Sequence, residues 1–255
     1  MSDGWREAQL DEAGWLAELC PDGEWTGYDP GPRPDAVWIL HAMYEWESGP
    51  TETTHQQVRE SLLDADLVEP ELVGGINLDE WGVVDTGGAL GRSQHPGPGW
   101  RRLRWAELAE RTDEPVVTPG TRPSFRSLPG SHPAGSWPAS IEPPGEGSLD
   151  REGWLRLVEL LTAWAGADTP VLAYVAPGAS VDQQGHVLAG RLGDAAELYD
   201  HELGSGSPAN LWPADRSWVT WSDWDLWGTK VSGPTGLVES VLADAELEAI
   251  RLPWC

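Results

Sequence analysis

Apolar positions recur at helical spacing along much of this chain. Residues 3–20 place Trp5, Leu10, Trp15, Leu16 and Leu19 near one face, interrupted by Gly14 and stopped by Pro21. Residues 35–47 carry the pattern more strongly, with Val37, Leu40, His41 and Tyr44 at steps of three and four after Pro34-Asp35. Gly49-Pro50 closes that run. Thr53 or Thr54 caps a second helix to about Asp64, with Val58, Leu62 and Leu63 inward. Residues 71–85 alternate weakly, as one or two strands would, and Trp105 to Arg111 is a further helical run.

The C-terminal part is patterned more clearly. Ser148 or Asp150 starts an amphipathic helix to about Ala165, burying Trp154, Leu157, Leu160, Leu161 and Trp164. Pro170 to Val175, His186 to Leu192 and Ala195 to Tyr199 read as strands. Ser217 to Trp221 and Leu226 to Val231 read as a hairpin around Asp223-Trp224-Asp225. Gly236 to Leu247 is a helix and Ala249 to Leu252 a closing strand. Between the halves, residues 115–147 hold eight prolines and almost no periodicity, yet include Phe125, Trp137 and Ile141. Such a segment is an arm laid on the surface. The expected fold is α+β: a helical N-terminal half and a C-terminal antiparallel or mixed sheet with helices on one face. The expected divisions are 1–115, mainly helical and acidic; 116–147, the Pro/Gly-rich arm; and 148–255, the α+β domain.

Charge changes this picture most. The 255 residues carry 42 Asp and Glu against 16 Lys and Arg, a net charge of −26. Residues 1–115 account for −16 of it, 116–147 for none and 148–255 for −10. Such a shell repels phosphate backbones and anionic lipid, so nucleic acid and membrane are excluded as partners and a basic protein is favoured. The helix, turn and helix of the N-terminal half, followed by a β wing, faintly suggest a winged helix. Its would-be reading helix carries Glu60, Asp64 and Asp66 against Arg59, which excludes DNA readout.

Usage within classes is lopsided. Lys230 is the only lysine, Phe125 the only phenylalanine, and asparagine occurs only at Asn77 and Asn210. This is the signature of a GC-rich bacterial coding sequence. Cys20 and Cys255 are the only cysteines, which gives no disulfide framework and favours a reduced, cytoplasmic setting. The N-terminal residues are polar and acidic, with no secretory signal expected, and the most apolar short run, 36–44, is too short to span a bilayer.

The candidate chemistry centres on the seventeen tryptophans. Trp212, Trp218, Trp221, Trp224 and Trp227 crowd the predicted hairpin, with Asp215, Arg216, Asp223 and Asp225 between them. Strand alternation sends Trp218 and Trp221 to opposite faces. Indoles rimmed by carboxylates suit a cationic group, and an aromatic core is the other reading of the same residues. The partner-binding candidates are therefore Trp218, Trp221, Asp223, Trp224, Asp225, Trp227 and Asp215. An alternative pocket would use Glu197, Asp200, His201 and Glu202, whose consecutive spacing is poor for shared ligation. His41 and Glu45 stand four apart on the expected helix, compatible with a metal or a simple hydrogen bond. Arg101, Arg102 and Arg104, with Arg92 nearby, form the only basic cluster, either an anion site or an internal counter-charge. Gly-Gly-Ala-Leu-Gly at 87–91 is followed by no helix start that would hold a phosphate. No hydrolase, nucleotide-loop, zinc or dinucleotide motif is present, so no catalytic residue, metal or cofactor is expected.

Several stretches are jointly distinctive: DAVWILHAMYEWESGP (35–50), HPGPGWRRLRWAEL (95–108), EGSLDREGW (146–154), GRLGDAAELYDH (190–201) and the ending from NLWPADRSWVTWSDWDLWGTKVSG onward. They resemble a group of proteins encoded by GC-rich filamentous soil bacteria, over most of the chain, and the resemblance implies no assigned activity. The acidic, cytosolic α+β character is also similar in type to immunity proteins of bacterial polymorphic toxin systems. The expected function is that of a non-enzymatic acidic binding protein, immunity-like, which occludes a basic toxin or nuclease. The alternative is an enzyme or small-molecule binder with a Trp-lined pocket.

Overall fold

The run Asp35–Leu40 shows best how this sequence folds, because it fits two periodicities at once. Ala36-Val-Trp-Ile-Leu40 is apolar at every position, so helical spacing can be read from it as readily as a strand buried on both sides. In the computed structural model it is a strand with five consecutive buried residues. The structure describes residues 4–19, 27–31, 33–64, 95–124, 127, 137–176, 185–204 and 206–251. The expected strand over 71–85, the glycine run 87–91, Arg92, Phe125 and both cysteines lie outside these residues, as do the side chains of Leu62 and Leu63.

In chain order the strands are β1 (Arg6–Ala8), β2 (Asp35–Leu40), β3 (Met43–Trp46), β4 (Trp100–Leu103), β5 (Ile141–Glu142) and β6 (Pro170–Val175). They continue as β7 (His186–Arg191), β8 (Asn210–Pro213), β9 (Val219–Trp221), β10 (Gly228–Gly233) and β11 (Ala249–Ile250). The α-helices are α1 (Gly14–Leu19), α2 (His55–Asp64), α3 (Trp105–Thr112), α4 (Arg151–Ala165) and α5 (Thr235–Leu242), with 3-10 turns at Leu10–Ala13 and Leu192–Asp200. The expectation of a helical N-terminal half is overturned: 35–47 forms β2 and β3, and 6–8 forms β1. Ala195 to Tyr199, expected as a strand, belongs to a 3-10 helix.

Two compact units result, residues 1–41 with 146–255, and residues 42–145. In the first, eight antiparallel strands run in the order β1-β7-β6-β8-β9-β10-β2-β11. Alternation along β2 and β10 sends Val37, Ile39 and Val231 to one face and Trp38 and Lys230 to the other. On the first face, Trp154, Leu157, Val158 and Leu161 of α4 and Leu237, Val238 and Val241 of α5 complete the main core. Asp150 caps α4, accepting from the Gly153 N–H at 3.3 Å. Helices are not confined to that face. Leu16 of α1 packs with Trp212, Tyr174 and Val219 on the opposite face, where Trp15 and Tyr28 join them.

The second unit is built on a three-stranded antiparallel sheet, β4-β3-β5, with α2 and α3. Trp105, Leu108 and Ala109 are the buried side of α3. Trp137 and Ile141, in the proline-rich stretch, are buried too, and backbone hydrogen bonds tie Thr53 and His55 to Ala139 and Trp137.

Candidate functional site

The turn from Ser222 to Trp227 joins β9 to β10 and is pinned from several sides. Ser222 N–H donates to Ala209 O at 2.9 Å, and Leu226 N–H to Asp223 O at 3.0 Å. Below it, the Ser222 and Thr229 hydroxyls lie 2.6 Å apart, and Thr229 Oγ1 is 2.9 Å from His41 Nε2. All three side chains are buried. Gly147 donates to Leu226 O at 2.9 Å from a left-handed conformation, φ +71. A Cβ there would stand 2.8 Å from Trp224 Cα, so only glycine lets the two backbones approach.

At the outer end of this turn Trp224 keeps 59% of its surface exposed, the largest exposure of any large apolar residue described. Asp223 beside it is fully buried, and Asp225 is half-buried, with an Oδ1 that has no hydrogen-bond partner among the described residues. Glu146, half-buried, completes the group. Burial pushes its carboxyl up to about 7; the Trp227 indole N–H opposes the rise and the neighbouring Asp225 charge adds to it. The arrangement is an exposed indole on a fixed turn that carries two carboxyl groups, with a third, Glu146, against it. An exposed indole face suits an ammonium or guanidinium.

The other candidates from the hairpin fall elsewhere. Trp218 and Trp221 do point to opposite faces, but both faces are covered, and both rings are buried. Trp227 is buried as well. None of these three is exposed for contact. Asp215 is exposed in the preceding β8–β9 turn, where its carboxylate accepts from Ser217 N–H at 3.0 Å. Of the alternative pocket, Glu197, Asp200 and Glu202 are exposed; Asp200 pairs with Arg151, and His201 Nδ1 accepts from Leu203 N–H at 3.3 Å. Among the described residues no hydrogen bond or ion pair joins the four into a pocket.

A buried charge that the sequence marked only by rarity is Lys230. It lies in one row across the sheet, where Tyr174, Asn210, Trp221, Lys230, Trp38 and Ile250 are successive partners. Its ammonium sits 5.8 Å from the Trp38 and Trp221 ring centres and 2.5 Å from Asp29 Oδ1. The side chain is 3% exposed, so this is a packed ion pair between two indoles.

In the second unit, Glu45 is buried and clamped by two arginines. Arg111 reaches it at 2.7 and 3.1 Å, and Arg101 at 2.5 Å. Both arginines also bind Glu107, holding its carboxyl down at about 2, chiefly through the Arg101 hydrogen bond. Arg101, from the basic cluster, thus serves as internal counter-charge. His41 and Glu45 share no helix: His41 follows β2, whereas Glu45 lies in β3.

No protein-family model, curated protein or solved structure matches this chain. Among the described residues no group of three or more His, Cys, Asp or Glu is placed to hold a metal ion. No helix among them is long and apolar enough to cross a membrane.

Proposed function

We propose that the chain is a non-enzymatic, cytoplasmic binding protein that grips a cationic side chain of a basic protein through Trp224 and the carboxyl groups behind it. An immunity-like inhibitor of a basic toxin or nuclease is the kind of protein this describes. The observation that carries the reading is the exposed Trp224 ring on a turn clasped by Gly147, with Asp225 and Glu146 beside it. The net charge of −26 supports it, since such a field steers basic surfaces toward the site.

An arginine-rich peptide serves as the probe, with binding followed by calorimetry at low and high salt. Trp224→Ala should weaken binding about three- to thirtyfold, the range of a partly desolvated cation–π contact. Raised salt should weaken what remains. Equal affinity for the variant and the parent chain would overturn the reading.

A further inference from the structure

Among the described residues Arg33 and Arg216 make no ion pair, although acidic residues outnumber basic ones 42 to 16. They converge instead on one indole: their guanidinium carbons lie 5.2 and 5.0 Å from the centre of the Trp15 ring. Trp15 is held on α1 by an edge-on contact with Trp212, ring centres 6.2 Å apart. Its own indole N–H is buried, with no acceptor among the described residues.

The backbone adds an independent observation. Arg216 sits in the left-handed region at φ +57, one of two described non-glycine residues with positive φ. It closes the β8–β9 turn, donating its N–H to Pro213 O at 2.8 Å. A glycine would take this turn position at no steric cost, so the turn itself does not call for an arginine. Non-glycine residues held in this region cluster at functional sites.

We propose that Arg33, Arg216 and Trp15 form a clamp for an oxyanion, a carboxylate or phosphate group of a small ligand. Two like charges gathered on one ring are an arrangement that an anion completes. A guanidinium resting on an aromatic face keeps its N–H edge available, and that edge matches two oxygens of such a group. The inference does not rest on the role proposed for Trp224.

The test uses the full chain labelled with nitrogen-15, following its indole N–H resonances. Inorganic phosphate and acetate are titrated separately against sodium chloride at equal ionic strength. A saturable shift of the Trp15 resonance beyond the chloride response is expected with at least one of them. Saturation by phosphate alone assigns a phosphate group, and by acetate alone a carboxylate. Arg33→Gln and Arg216→Gly should each weaken the titration about tenfold or more, as loss of a charged hydrogen-bond donor does. Arg216→Gly keeps the left-handed turn, so the fold is retained while the guanidinium is lost. The proposal is overturned if neither anion exceeds chloride, or if both variants titrate like the parent chain.

Discussion

Lys230 shows how one residue can be conspicuous in the sequence and still be placed only by structure. As the single lysine of a chain that otherwise uses arginine, it stood out by composition, yet nothing local announced that it would be buried. An ammonium removed from water needs a counter-charge and a polarisable lining, and here Asp29 supplies the first and two indole faces the second. Removing one partner should therefore cost more than removing both. Lys230→Met leaves the Asp29 carboxylate without the ammonium and should lower stability by about 3–5 kcal/mol. Adding Asp29→Asn to that variant should restore a large part of the loss, because no lone charge remains. Urea unfolding of the two single variants and the double variant measures this coupling, and strictly additive losses would show that the two side chains do not act as a pair.

At the scale of elements, the turn that presents Trp224 depends on Gly147. Gly147→Ala puts a Cβ 2.8 Å from the Trp224 main chain and forces a φ of +71 on an L-residue. The expected cost is about 2–4 kcal/mol, read as a lower urea midpoint. Weaker binding of the arginine-rich peptide should accompany it, since the turn itself shifts; an unchanged midpoint would show that the turn does not need this approach. Elements of this C-terminal part were largely legible: α4 with its Asp150 cap, β6, β7, α5 and the β9–β10 hairpin lie close to where periodicity and turn residues put them. The N-terminal half was not. In 36–40, apolar residues at every step satisfied helical spacing, and long-range pairing with β10 and β11 decides for a strand. The same limit applied to the site. Alternation correctly separated Trp218 from Trp221, but whether a face meets solvent depends on what covers it, and α4, α5 and α1 arrive from distant parts of the sequence. Gly147 and Glu146 were missed for this reason: they reach the hairpin from about 75 residues away, a distance no local pattern spans.

On the scale of the whole molecule, the surplus of negative charge and the half-buried Glu146 together set how stability and binding respond to pH. Folding lifts the Glu146 carboxyl from an ordinary 4.5 to about 7. Between those two values the folded chain holds a proton that the unfolded chain has released, so this group's favourable contribution is complete below about 4.5 and is lost as pH rises through 7. Glu107 acts in the opposite sense. Its folded value near 2 supplies stability above 4.5 that disappears as pH falls. Stability should therefore decline from pH 5 to pH 8 by about 1–2 kcal/mol from Glu146, after allowance for its contact with solvent. Glu146→Gln should flatten that decline in urea unfolding at the two pH values, and a slope as steep as the parent's would place the titrating group elsewhere. Binding follows from the same proton. A cation beside Trp224 favours the ionised carboxylate, so affinity for the arginine-rich peptide should rise between pH 6 and pH 8 in the parent chain and stay level in Glu146→Gln. With the peptide's amino terminus acetylated its charge stays constant over that range, so the part of the rise that Glu146→Gln removes comes from this carboxyl and ties the exposed indole to the acid behind it.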